Sequence, residues 1–364
     1  MFYIRDQDAG GAMRRLLDYQ ADRIEQILSA HNVPSRVLGG VVTPRWIRFE
    51  IVPAMGTRVT NIARLSEEIA LWLGSRGVRV RRDGGRIHIE VPREEGGMVQ
   101  LLPLMARLGE IPRHTAVLGL DEGGIPLLLR LPSPDVCHAL VAGTTGSGKT
   151  ALVRSMALSL ALSNRAGELQ LVIIDPKGRG YTALEGLPHL LCPVVREVDE
   201  AIETLDRLVY QMVRRDREGV QEPRLVVVID EMADLVTAGG NAFVQMVTRL
   251  TQRGREAGIH LIGCTQKPTV EAIGSLVKSN FPVRLVGSVA SPEDGRVATG
   301  LRASGAEKLL GRGDFLLVVK NELVRFQAAY ISIQEAEEVV NFMKRKGSAS
   351  RLWLADYVSS AYVH

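Results

Sequence analysis

Apolar positions change their rhythm part-way along the chain. Over residues 12–31, Leu16, Leu17, Ile24 and Leu28 share one side of a helical wheel and predict an amphipathic helix. The run RWIRFEIVP (45–53) predicts a strand. Helical spacing returns with Ile62, Leu65, Ile69 and Leu73, and Gly77 is the expected stop. VRVRR (78–82) and RIHIEVP (86–92) flank the turn DGG as two further strands. These elements predict a small α+β domain over 1–115, with no chemistry of its own.

From about residue 115 the signal differs. A hairpin-like segment, TAVLGLDEGGIPLLLRLP, leads into short runs that are apolar almost throughout: ALVAG (139–143), LQLVIID (169–175), RLVVVID (224–230), IHLIGC (259–264) and VRLVGSV (283–289). Strands buried on both faces read this way. Helical segments separate the earlier runs, for instance 199–217, where Ile202, Leu205, Val209 and Met212 lie on one face. The expected fold class is α/β, with a mostly parallel sheet covered on both sides over 116–347. Residues 348–364 are expected to be a short mobile tail.

Composition narrows the function classes. A chain of 364 residues suits one large and one small domain, and 46% hydrophobic with 24% charged residues is ordinary for a soluble globular protein. Aromatics at 5% argue against extended base-stacking platforms, and a net charge of +4 is compatible with a polyanionic partner without specifying one. Cys137, Cys192 and Cys264 form no CxxC pair, which argues against a disulfide framework or zinc site and for a reducing compartment. The amino terminus lacks an apolar signal core, and no uncharged apolar run approaches the roughly 18 residues of a membrane span. A cytoplasmic chain without direct membrane insertion is expected.

The chemistry starts with GTTGSGKT. Gly143, Gly148, Lys149 and Thr150 fit G-x-x-x-x-G-K-[ST] between a predicted strand and a predicted helix. Glycines let successive amides of Gly143, Thr144, Thr145, Gly146, Ser147 and Gly148 turn toward phosphate oxygens, and the helix N-terminus through Ala151 adds its dipole. Lys149 would reach the β- and γ-phosphates of ATP, and the Thr150 hydroxyl would serve Mg²⁺. LVVVIDEMADL places Asp230 at the end of a buried strand, where it can hold Mg²⁺, and Glu231 beside it can orient or deprotonate a water. An aspartate–glutamate pair points to an ATPase more than to a switch GTPase; a simple helix N-cap is the alternative. Gln266, at the end of HLIGCTQ, is placed to sense the γ-phosphate or to make a loop hydrogen bond.

These pieces and their surroundings resemble the FtsK/SpoIIIE family of DNA-translocating motors. IDPKGRG…EGLPHLLCPVV (174–195), GREAGIHLIGCTQKPTVEAIGSLVKSNFPVRL (254–285) and GAEKLLGRGDFLLV (305–318) are similar to its signatures. RFEIVPAMGTRVTNIARLSEEIALWLGSRGVRV is similar to its small α domain, so the resemblance runs from about residue 12 to 347. It implies RecA-like motor domains in a homo-hexamer around double-stranded DNA, with ATP held between neighbours and Lys149, Thr150, Asp230 and Glu231 in the site. It also implies an arginine acting on the neighbour's nucleotide. Arg296 stands at that position, although glycine precedes it where the family pattern has serine, and Arg255 competes with it. Lys267, Thr269, Lys278, Lys308 and Arg312 fall in regions similar to the family's pore-facing, sequence-independent DNA contacts. The cluster RRDR (214–217) reads instead as cations at a helix C-terminus. Family members often carry a membrane anchor and a sequence-reading γ domain, for which this sequence shows no counterpart. A secretion-type motor moving protein, or a motor working with a nuclease or recombinase partner, is the alternative.

Overall fold

The computed structural model describes residues 11–83, 85–93, 97–268, 280–346 and 351–362. The chain divides into two compact units, one reaching to Met98 with Glu122–Ile125, the other holding Val99–Asp121 and Pro126–His364.

The smaller unit is α1 (Gly11–Ala30), β1 (Ser35–Val42), β2 (Trp46–Pro53), α2 (Val59–Arg64), α3 (Ser66–Trp72), β3 (Arg79–Asp83) and β4 (Arg86–Pro92). Its sheet is antiparallel in the order β1-β2-β4-β3. Ile47, Phe49 and Ile51 alternate inward from β2 and pack with Leu17, Ile24 and Leu28 of α1 and with Ile62 and Ile69. Leu16, assigned to the apolar face of the first helix, is exposed. The helix expected to end at Gly77 breaks at Leu65 into α2 and α3 and stops at Leu73, followed by left-handed Gly74 (φ 64°).

The larger unit begins with β5 (Val99–Gln100) and α4 (Leu101–Leu108), so these elements leave the small unit earlier than residue 115. The hairpin β6 (Thr115–Asp121) and β7 (Pro126–Arg130) precedes β8 (Ala139–Ala142), α5 (Lys149–Ser163), β9 (Leu169–Ile174), α6 (Val198–Glu218), β10 (Arg224–Ile229), α7 (Met232–Arg253) and β11 (Ile259–Thr265). After β12 (Val283–Val286) come α8 (Pro292–Thr299), β13 (Asp314–Val319), β14 (Glu322–Tyr330), α9 (Ile333–Lys346) and α10 (Arg351–Tyr362). The sheet runs β7-β6-β14-β13-β12-β8-β11-β10-β9, with β5 on β14. Its β12-β8-β11-β10-β9 portion is parallel, and β13, β14, β6 and β7 extend it antiparallel.

Each apolar run supplies both faces of this sheet. Val226 and Val228 of β10 enter the core that contains α5, α4 and α9, while Leu225, Val227 and Ile229 enter the core that contains α6 and α7. That is why the runs lack polar alternation. Arg215 of the RRDR cluster is buried and donates to the Pro223 carbonyl at 2.8 Å and the Ala257 carbonyl at 3.2 Å. The expected mobile tail is helical instead: Trp353 stacks on Phe342 with centroids 4.2 Å apart, and Leu354 is buried.

Candidate nucleotide site

Strand register decides where the polar residues gather. Ala142 pairs with Thr265, and Ile229 with both Ile174 and Gly263. Gly143, Asp175, Asp230 and Gln266, the residues that follow these strand ends, therefore emerge along one edge of the parallel sheet. Strand β8 sits between β11 and β12 while the chain next visits β9, so this edge is also where the order of strands reverses.

Between β8 and α5 the chain makes the phosphate loop. Gly148 is left-handed (φ 99°), and a Cβ there would lie 2.9 Å from the Gly313 nitrogen, so both conformation and space demand glycine. The Ser147 hydroxyl donates to the Thr144 carbonyl at 2.7 Å, and the Thr144 amide donates to the Ser288 carbonyl at 2.7 Å. Lys149 is buried, and its ammonium donates to the carbonyls of Gly143 and Thr144. Burial lowers its pKa, and the nearby carboxylates of Glu231 and Asp230 oppose that shift.

Asp230 and Glu231 enter from β10. Burial, and next the like charges of Asp175 and Glu231, push the Asp230 carboxyl up to about 6. Glu231 is buried and left-handed (φ 53°), a strain of order 1 kcal/mol that persists only where the surroundings over-determine it. They do so here. The Thr265 hydroxyl and the Gln266 amide donate to Oε1 at 3.3 and 3.0 Å, and the Lys177 ammonium donates to Oε2 at 3.4 Å. Glu231 holds the N-cap position of α7, but its side chain makes no capping hydrogen bond, which removes the simple-cap reading. The Gln266 side chain accepts from the Thr145 hydroxyl at 3.1 Å, so its hydrogen bond goes to the phosphate loop itself.

A divalent cation fits this edge as a shared ligand. Asp230 is a half-buried carboxylate with carboxylate neighbours, and Thr150 lies across Gly180 from it. A Cβ on Gly180 would fall 2.7 Å from Thr150 Cγ2 and 3.9 Å from Asp230 Oδ2. Among the described residues no group of three or more metal-ligating side chains exists, so Mg²⁺ would be held by Thr150 and Asp230 together with phosphate oxygens and water.

Two pieces of the site were not singled out from sequence. Asp175 directly follows β9 as Asp230 directly follows β10, and the same strand-end logic applied to LQLVIID finds it. The other is the turn 311–313: the Arg312 amide donates to the Gly146 carbonyl at 3.0 Å and the Gly313 amide to the Ser147 carbonyl at 2.9 Å. Arg325 holds that turn from behind through a two-pronged pair with buried Asp314 at 3.0 and 2.8 Å.

The site thus joins Lys149, Thr150, Asp230, Glu231 and Gln266. Arg296 stands apart on α8, exposed and paired with Glu293 through Nε at 3.2 and 3.1 Å. Arg255 is exposed, its carbonyl accepts the Gly258 amide at 3.1 Å, and its guanidinium makes no hydrogen bond or ion pair among the described residues. Lys267 and Lys308 are exposed, the former directly after Gln266, and Arg312 projects from the turn against the phosphate loop. Thr269 and Lys278 lie outside the described residues.

Comparison with known proteins gives the family of the chain. Residues 5–93 match the FtsK alpha domain, and residues 109–218 and 213–270 match the FtsK/SpoIIIE family. The DNA translocase FtsK of Staphylococcus aureus is 34% identical over 361 residues, which is 90% of this chain and 45% of the relative. The DNA translocase SpoIIIE of Bacillus subtilis is 35% identical over 358 residues, 88% of this chain and 45% of the relative. The chain therefore spans less than half the length of these curated relatives. Among solved structures, the cytoplasmic domain of the type VII secretion ATPase EccC of Thermomonospora curvata aligns with a TM-score of 0.55 at 25% identity, over 66% of this chain and 32% of EccC. The pCW3 conjugation coupling protein TcpA, in its monomer form with ATPγS, aligns with a TM-score of 0.58 at 19% identity, over 91% of this chain and 99% of TcpA; that likeness is one of fold. By its alpha-domain match, its motor-domain match and its P-loop fold, the chain belongs to the FtsK/SpoIIIE family.

Proposed function

We propose that this chain is the motor of an ATP-driven translocase that pumps double-stranded DNA through a homo-hexameric ring. The observation that carries the reading is the convergence of Lys149, Thr150, Asp230, Glu231 and Gln266 on one sheet edge, in a chain whose relatives at 34% and 35% identity are DNA translocases. In the reaction, water attacks the γ-phosphorus, Glu231 takes its proton, and the bond to the bridging oxygen breaks with its electron pair leaving on ADP. Lys149 and the loop amides hold the β- and γ-phosphates, and Gln266 contacts the phosphate end. Mg²⁺ at Thr150 and Asp230 supplies charge neutralisation when bound.

Hydrolysis at subunit interfaces needs a cation from the neighbour, worth on the order of 10³-fold in rate. Arg296 is our first candidate for it. Arg255 is the second, favoured by its unengaged guanidinium where that of Arg296 is already paired with Glu293. Lys267, Lys308 and Arg312, with Thr269 and Lys278, are proposed to grip DNA phosphates without reading sequence. No helix among the described residues is long and apolar enough to cross a membrane, and a cytoplasmic motor, alone or with a nuclease or recombinase partner, is the setting proposed. The similarity to a secretion ATPase gives the second reading, a protein cargo.

One assay decides between them: ATP turnover with and without linear duplex DNA, across protein and salt concentration, beside Glu231→Ala. Salt-sensitive stimulation by DNA that rises cooperatively with protein supports the ring translocase. Turnover indifferent to DNA, yet abolished in the variant, removes the translocase and leaves the ATPase with a protein cargo.

A further inference from the structure

Asp175 builds the turn that carries Lys177. Its Oδ1 accepts the amides of Lys177 at 3.2 Å and Gly178 at 3.1 Å, and its Oδ2 accepts the Gly180 amide at 2.9 Å. Asp175 is buried, so the turn is fixed before any ligand binds. From it the Lys177 ammonium sits 3.4 Å from Glu231 Oε2 and 3.4 Å from Asp234 Oδ2.

The two ends of this contact differ in freedom. The Glu231 side chain is 5% exposed and anchored through Oε1 to Thr265 and Gln266, whereas the Lys177 side chain is 45% exposed. Lys177 can swing and Glu231 cannot. The same ammonium acts electrostatically on both Asp230 and Lys149, so its charge reaches the phosphate end of the site. Two lysines, one from the phosphate loop and one from the turn after β9, thus converge from different elements.

We propose that Lys177 is a positioning residue for hydrolysis, which holds the Glu231 carboxylate in one arrangement and exchanges it for the terminal phosphate of a bound nucleoside triphosphate in the other. This deepens the ATPase reading and rests on it. While Lys177 bonds Oε2, the oxygen that would receive the water proton is engaged. A γ-phosphate concentrates more negative charge on one group than the single Glu231 carboxylate offers at 3.4 Å, and its pull frees Oε2. A diphosphate lacks that group and leaves the lysine where it is. A ligand shifts such an equilibrium only through its differential contact with the two arrangements, and the γ-phosphate is that difference. Asp234, exposed at the start of α7, weights the resting arrangement.

The test is equilibrium binding of ADP and of a non-hydrolysable ATP analogue, with Mg²⁺, to the full chain and to Lys177→Ala, Lys177→Arg and Asp234→Asn. Lys177→Ala is expected to weaken the analogue about tenfold, the effect of one charge-assisted hydrogen bond, and to leave ADP within about twofold. Lys177→Arg keeps the charge and is expected to restore most of the preference. Asp234→Asn should shift the preference toward the analogue by about two- to threefold, since it weakens only the resting contact. Equal weakening of both nucleotides in Lys177→Ala, or an unchanged ratio, overturns the inference and assigns Lys177 to local structure. If the unaltered chain binds neither nucleotide, the ATPase reading itself falls, and this inference with it.

Discussion

Lowering the pH from 7.5 to 5.0 should destabilise the larger unit from inside its sheet, through His138 and His260. His138 directly precedes β8 and His260 is the second residue of β11, both at the end of the parallel strands opposite the nucleotide edge. His138 Nδ1 accepts the Leu261 amide at 3.0 Å, and His260 Nδ1 bonds the Cys137 carbonyl at 3.0 Å, which places a proton on that nitrogen. His260 Nε2 then accepts from Arg224, 3.3 Å away. A second proton on either ring would meet a donor where an acceptor is required. Both rings are buried, and burial lowers the His138 pKa to about 4 and that of His260 to about 3, from 6.5.

The sign follows from the unfolded chain binding more protons below 6.5. The stability is complete above that pH and is lost as pH falls toward the folded values. At pH 5 each ring favours unfolding by about 2 kcal/mol, from roughly 1.5 units at 1.36 kcal/mol each, and the pair by about 4 kcal/mol. Against a typical stability of about 5–15 kcal/mol this is a large fraction. Hydrogen-exchange mass spectrometry in chelator, corrected for intrinsic rates, reads it on the β8 and β11 amides. His260→Gln offers a donor and an acceptor without titrating, and should halve the loss. Unchanged β11 protection between the two pH values, or the full loss in His260→Gln, refutes the reasoning.

Gly180→Ala should weaken Mg²⁺-dependent nucleotide binding by about tenfold or more, because the new methyl meets Thr150 Cγ2 at 2.7 Å; a titration with Mg²⁺ against one in chelator reads it. Asp314→Asn removes the charge from a buried two-pronged pair and should cost about 3 kcal/mol in urea unfolding, with weaker nucleotide binding because the turn on Gly146 and Ser147 loses its support. Trp353→Ala should cost about 2 kcal/mol and loosen α10 in hydrogen exchange while nucleotide affinity stays unchanged, since the stack on Phe342 ties α10 to α9 and neither helix carries a residue of the nucleotide site.

Sequence reveals what repeats or what a ligand dictates. The five apolar runs became β8 to β12 because strands buried on both faces must be apolar throughout. GTTGSGKT and DE were readable because phosphate and water chemistry restrict residue type at fixed spacing. Strand β1 (SRVLGGVV) was missed: it lies at a sheet edge, carries two glycines and shows no cleanly buried face. The break at Leu65 sits inside an unbroken helical repeat, so periodicity could not announce it. Hidden for another reason was the turn 311–313 on the phosphate loop, a backbone pairing between segments far apart in the chain. That pairing places Arg312 beside Gly146, where sequence had suggested only a pore-facing charge.

The two ends of the parallel sheet impose opposite electrostatic demands. At the nucleotide edge burial, with Asp175 and Glu231 beside it, raises the Asp230 carboxyl to about 6. A carboxyl raised in this way binds its proton more tightly folded than unfolded, so its contribution falls as pH rises through about 4 to 6 and remains unfavourable above. At the other edge the histidines behave in reverse, and their contribution is lost as pH drops below 6.5. Only the first cost can be relieved by a ligand, because a cation at Asp230 offsets its charge while nothing at His138 and His260 can accept a proton without breaking a hydrogen bond. Binding of Mg²⁺-nucleotide should therefore stabilise the larger unit more at pH 7.5 than at pH 5. The carboxylates that strain the fold at neutral pH are the same groups that make the site able to take up a cation and phosphate.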